Sequence, residues 1–159
     1  SLIISTPTDV QLDLTGVAVD AARASTKSGD LGATRAEFYS VSACIEFETA
    51  PTDGGMVQFF WAPSPSATAA TGNPGGITGT DAAFTETVGN MGQLQRVGLF
   101  KVRNNVINIG YVGVFSPLYR YGSLLVVNNA STAFRSSATA ADESHIVMTP
   151  IIPDIQAAA

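Results

Sequence analysis

The sequence predicts an all-β fold: a two-sheet antiparallel β-sandwich, jelly-roll-like, with seven or eight strands and long loops. Three observations carry that expectation. Apolar and polar residues alternate at period two along much of the chain, the mark of strands with one face buried. Turn formers interrupt these runs, with 15 Gly and 8 Pro among 159 residues, so the strands are short. Helical signals are weak: Asp20 to Ala24 and Ala138 to Glu143 each suffice for one turn, which does not sustain a helix alone. Stacked sheets are then the economical way to bury the apolar faces.

The strands can be read in order. Gln11 to Val19 places Leu12 and Leu14 on one parity and Val17 and Val19 on the other, which a bulge at Gly16 would reconcile. Tyr39, Val41, Ala43, Ile45 and Phe47 alternate with Ser40, Ser42, Cys44, Glu46 and Glu48, the clearest half-buried strand. Met56 to Trp61 follows after Pro51 and the turn Thr52 to Gly55, so the two are expected to form an antiparallel hairpin. Pro63 to Asp81 has no periodicity. The stretch 63–83 reads as one long Gly/Ala/Pro/Thr loop, ordered only by contact with a neighbour. Strands resume over Leu94 to Val102, Val106 to Phe115, Gly122 to Asn128 and Ser144 to Ile152. Arg103 to Asn105 suits a tight turn, Pro117 breaks the ladder, and Asn129 to Glu143 reads as a second loop.

A content of 45% hydrophobic and 13% charged residues describes a compact chain, here one β-sandwich domain over 1–159 with extended termini. It can bury about 70% of the surface exposed on unfolding, enough to fold without a metal or disulfide. Cys44, the single cysteine, is expected to be buried and inert. The net charge of −5 with eight basic residues argues against nucleic acid, whose binders cluster Lys and Arg. Alternation would also point Arg96 away from Lys101 and Arg103. Ser1 to Pro7 lacks the basic and apolar regions of a signal peptide, and no run approaches the ~20 apolar residues of a membrane span. The expectation is a soluble chain with neither nucleic acid nor membrane as partner.

Candidate chemistry is sparse. His145, the lone histidine, neighbours Asp142, Glu143 and Ser144, but adjacent strand residues face opposite ways and cannot meet as a triad. Glu46 and Glu48 share a parity and read as a solvated pair on an exposed strand. Asp81 after Gly72, Gly75, Gly76 and Gly79 fits neither a phosphate-binding loop nor a calcium loop. No catalytic residue, metal site or cofactor is expected, and the chain is not expected to be an enzyme. Asn129 to Ser131 matches the glycosylation pattern and is read as chance in a chain not exported. The candidates left are interface residues: the apolar ends Leu2, Ile3, Ile4, Ile151, Ile152 and Ile155, and the loop-end group Trp61, Tyr119, Arg120 and Tyr121. Along an alternating strand Tyr119 and Tyr121 would lie on one side and Arg120 opposite.

Three segments carry a resemblance. Val57 to Ser66 (VQFFWAPSPS), Gly72 to Phe84 (GNPGGITGTDAAF) and Ser116 to Asn129 (SPLYRYGSLLVVNN), with the closing strand His145 to Ile151 (HIVMTPI), resemble small virion structural proteins of tailed bacteriophages. The resemblance implies a non-enzymatic role in the particle: a capsid decoration or cement protein on the outside of the head. Its partners would be the major capsid protein or other virion proteins. The chain would be made in the host cytoplasm, homo-oligomeric, and would use its apolar termini as assembly arms. Two alternatives stay open: a tail, neck or fibre-base component, and a carbohydrate-binding module using Trp61, Tyr119 and Tyr121.

Overall fold

A computed structural model describes residues 2–4, 8–28, 31, 36–136 and 144–153. Its strands are β1 (Leu2–Ile4), β2 (Thr8–Asp9), β3 (Ala21–Ala24), β4 (Phe38–Glu46), β5 (Met56–Ser64), β6 (Ala82–Phe84), β7 (Gln95–Lys101), β8 (Ile107–Phe115), β9 (Tyr121–Asn129) and β10 (His145–Pro153), with one short helix, α1 (Val88–Met91). No helix among the described residues is long and apolar enough to cross a membrane.

The pairings nest. β2 pairs with β10, β3 with β9, β4 with β8 and β5 with β7, all antiparallel. The chain is thus one long two-stranded ribbon whose rungs fall alternately in two sheets. Cross-pairings β10–β4 and β9–β5 complete them. One sheet runs β1-β10-β4-β8 with β2 also on β10, and the other runs β6-β3-β9-β5-β7. This ribbon rolled into two antiparallel sheets is the jelly roll, and the expected fold class is what the chain adopts.

The nesting corrects two local expectations. β4 and β5 do not form a hairpin: they belong to opposite sheets, and residues 47–55 carry the chain across the core. Residues 94–102 and 106–115 likewise follow one another without pairing. Period-two alternation reveals which face is buried but not which strand lies alongside. Two further segments exchange roles. Residues 11–19 form no strand but a turn with Gly16 at φ 65°, burying Leu14 and Val17. Ala21–Ala24, read as a helical turn, is a strand laddered to β9.

The core lies between the sheets. Tyr39, Val41, Ala43 and Ile45 of β4 face Val57, Phe59 and Trp61 of β5, with Leu124 and Val126 of β9 and Ile146 and Met148 of β10. Phe47 and Phe134 meet edge to face at 5.4 Å, closing one corner. Trp61 packs on Phe115 at 5.2 Å between ring centres. Its indole lies over Gly122, where any Cβ would collide with the ring.

The two sheets close on each other along one side. Inward Cβ atoms at Gly98 of β7 and Gly113 of β8 would run into the carbonyls of Val112 and Val97, so the backbones meet with no side chain between. Both strands are bulged there, with register shifts opposite Phe59/Phe60 and Val41/Ser42. The β7 bulge also overturns the parity expectation for Arg96: it pairs with Phe60 and Lys101 with Met56, so both project outward.

Gly122→Ala should lower stability by about 1–3 kcal/mol, the usual cost of overpacking a filled core. Gly113→Ala should cost at least as much, because the obstacle is backbone, which cannot rotate away. Urea denaturation followed by tryptophan fluorescence measures both. A loss under about half a kcal/mol at either site would contradict the packing described.

Candidate assembly surface

The outer faces of the two sheets are treated differently. On the sheet containing β5 and β9, outward Ala22, Ala24, Ala62, Leu125 and Val127 are buried beneath Ile77, with Phe60, Phe84, Met91 and Leu94 packed alongside. The cover is the chain's own segment between β5 and β7. Sequence reading makes 63–83 a featureless contact loop; here it is seated on its own domain.

A buried lysine holds that cover in place. The Lys27 ammonium donates to Ser64 Oγ at 3.0 Å and to the carbonyls of Ser66, Thr68 and Thr71 at 3.1, 2.7 and 2.9 Å. A Ser/Thr-rich loop thus folds its carbonyls around one cation, as such loops do around metal ions. Burial pulls the Lys27 pKa below the ordinary lysine value. The four oxygens around it are the compensation that burying an ammonium requires. Asp81 adds a second tether, accepting from Arg23 Nε at 2.6 Å and from the Asp13 backbone N–H. Thr87 caps α1, its hydroxyl accepting from the Asn90 N–H at 3.0 Å. Sequence reading missed Lys27, since a lone lysine many residues before the loop forms no motif.

Among the described residues the other sheet has no such cover over β8. Along this strand Ile107, Ile109, Tyr111 and Val114 project outward, Ile109 80% and Tyr111 62% exposed. Phe38 at the start of β4 is exposed as well. Beside them the outward positions are Ser40 and Ser42 of β4 and Val147 and Thr149 of β10. Cys44, also on this face, is buried as expected. It stands opposite Ile109 on one side and His145 on the other. Glu46 is not solvated: it is buried and ion-paired with Arg135. Exposed Glu48 accepts from the backbone N–H and hydroxyl of Ser136. These bonds, the backbone one foremost, hold its carboxyl below the usual range.

The expected interface residues do not converge on one surface. Leu2, Ile3 and Ile4 pair with Pro153, Ile152 and Ile151, so the two apolar ends ladder with each other inside their own sheet. They are not extended arms over the described residues, because each satisfies the other's backbone. Ile155 lies outside the described residues, as do Asp142 and Glu143. Trp61 is 1% exposed, a core residue at no loop mouth. Tyr119 is exposed and Tyr121 half-buried, while the Arg120 guanidinium sits 6.0 Å from the Tyr121 ring centre. Arg120 therefore folds over that ring rather than projecting opposite, since residues 118–120 form a bend and not a strand. Asn129 of the glycosylation pattern is engaged, accepting from Gln58 and donating to Asp20.

Among the described residues no three His, Cys, Asp or Glu side chains gather to hold a metal ion. Comparison with known protein families and with curated proteins finds no match to this sequence.

Lys27→Met should leave the Thr68 carbonyl without its donor and the Ser66 and Thr71 carbonyls competing for the Ser64 hydroxyl, an unmet acceptor being worth about 1–3 kcal/mol where water cannot replace the bond. The loosening is expected locally. Hydrogen exchange should speed up over residues 64–81 while amides of β5 and β9 keep their protection. Unchanged exchange in the loop would mean that the ammonium does not order it.

Proposed function

We propose that this protein is a non-enzymatic structural component of a tailed-phage virion, a decoration or cement protein that binds the assembled head and stabilises it. One observation carries the reading: the jelly roll covers the outer face of one sheet with its own chain and leaves an apolar, uncharged strand bare at the side of the other. Monomeric soluble proteins rarely leave such strands uncovered, and a contiguous apolar row marks a contact surface. Jelly rolls serve in viral shells, although also in lectins and other proteins, so the fold alone does not decide. The segments resembling phage virion proteins supply the rest. The chemistry is consistent: Lys27 and Glu46, the Lys and Glu buried among the described residues, each bond within the chain.

A decoration protein acts by mass action. Binding only the closed shell favours that shell by RT ln(1 + [L]/Kd), about 2.7 kcal/mol per site at a hundredfold excess over Kd. The carbohydrate-module alternative loses its principal ring, because Trp61 is enclosed in the core. A tail, neck or fibre-base position would use the same bare strand and differs only in location.

Quantitative mass spectrometry of purified particles, with immunogold labelling of intact and tail-less heads, tests the proposal. Many copies on the head are expected, and heads stripped of the protein should rupture at lower temperature. A chain confined to tails in a few copies, or absent from particles, would overturn the decoration assignment.

A further inference from the structure

The bare strand has two open aspects, its outer face and its hydrogen-bonding edge, and the distribution of side chains distinguishes between them. An occupant stacked on the face would meet Ser40, Ser42, Thr149 and half-buried Val147 across β4 and β10. An occupant beside the edge would meet Ile107, Ile109 and Tyr111, the most exposed row of the sheet. The apolar exposure is concentrated at the edge.

That edge is also unguarded. Among the described residues β8 has a single strand neighbour, β4, so no described strand ladders with the N–H and C=O groups of its other side. Edge strands are normally blunted by charge, proline, brevity or bulges. The opposite sheet obeys this: β7 carries outward Arg96 and Lys101, and β6 has three residues. Among the described residues the far side of β10 meets only β1 and β2, of three and two residues. β8 has nine residues, INIGYVGVF, with neither charge nor proline. Its one interruption is the bulge at Val112–Gly113, which leaves Ile107 to Tyr111 as a regular ladder.

We infer that this stretch pairs antiparallel with the same stretch of a second copy, about a two-fold axis at Ile109, joining two sheets into one. The sequence of the stretch is self-complementary. Ile109 meets Ile109 of the second copy, and Ile107 meets Tyr111 twice, a β-branched and aromatic pairing that cross-strand contacts favour. No like charges oppose each other across the seam, although the chain carries −5 overall. A five-residue ladder is ~17 Å long and buries on the order of 400 Å² per partner, about half of a stable interface. The dimer is therefore reversible in solution and gains strength when other contacts hold the copies together. This deepens the assembly reading by naming the contact between copies, and its test needs no particle.

Sedimentation velocity over a concentration series compares wild type with Ile109→Lys, a change at a side chain 80% exposed that leaves the core alone. Wild type should shift toward dimer as concentration rises, and Ile109→Lys should weaken that association at least about tenfold, the loss of roughly 1.4 kcal/mol, with an unaltered circular dichroism spectrum. A disulfide gives the geometry. Cys44 is replaced by Ala because it is the cross-strand neighbour of Ile109 within the chain, and the Ile109→Cys variant on that background is then oxidised. A covalent dimer is expected, whereas Val88→Cys, more exposed still but on α1 over the opposite sheet, should stay monomeric. A wild type that remains monomeric throughout the series, an Ile109→Lys variant that still dimerises, or failure of the Ile109→Cys variant to cross-link would each overturn the inference. Absence of the protein from virions would overturn the decoration reading and leave these results standing.

Discussion

The close crossing of β7 and β8 sets the terms for the rest of the molecule. A ribbon that rolls into two sheets must pass from one sheet to the other, and beyond the tip between β5 and β7 it first does so at the β7–β8 connection. With Gly98 and Gly113 at the contact, the two backbones touch and the sandwich closes along that side without a layer of side chains. Gly110 continues the pattern, its inner side filled by the Phe100 ring. The bulges in both strands belong to the same solution, because a bulge adds local twist and re-aims the chain. A β-carbon at the crossing would push the sheets apart and loosen the stack of Phe59 on Phe100 beside it.

The same constraint distributes the surface. Because β8 lies over β7 rather than beside it, the edge of β8 is left open, and the bulge at Val112–Gly113 determines how much of that edge is regular. On the far sheet the outer face of β5 and β9 is strongly apolar, and the chain spends the segment between β5 and β7 covering it. That cover seats Ile77 fully on the face and packs Phe84, Met91 and Leu94 alongside, but its stretch from Ser66 to Thr71 has no large apolar side chain. That polar stretch is organised by electrostatics: one ammonium gathers three carbonyls and a hydroxyl. A resident lysine does this without the concentration dependence of a bound metal ion.

Much of this architecture was legible in the sequence, because burial leaves a period-two trace. The alternation from Tyr39 to Phe47 marked β4 and its inward face, and the runs after Leu94, Val106, Gly122 and Ser144 marked β7 to β10. What the trace could not carry was partnership. Neighbouring strands in sequence suggested hairpins, whereas the jelly roll pairs strands nested around a distant tip. Bulges defeated parity in the same way, moving Arg96 to the side of Lys101. Trp61 illustrates a different limit: an aromatic at a strand end reads equally as a stacking platform or as core, and only the position of Gly122 beneath the indole decides. The bare edge was hidden for a related reason. Ile107, Ile109 and Tyr111 look like an inward-facing row, and it is the inward Asn108 and Gly110, set against Arg103, Asn105 and Phe100, that turn the isoleucines outward.

Asn108 shows how strand orientation is fixed where apolarity alone would choose wrongly. Its amide donates to the Asn105 carbonyl at 2.7 Å and its oxygen accepts from the Arg103 N–H at 2.7 Å, closing the turn that begins β8. A buried amide satisfied in this way is costly to expose, since reversing the strand would strand both turn groups without partners. Flipping β8 would bury Ile107, Ile109 and Tyr111, worth about 1.5–3 kcal/mol each, but would also drive their side chains into the space where β7 meets β8 through glycine. No room exists there. The apolar row is held outward by packing that the fold cannot give up, so its exposure follows from the closure of the sandwich.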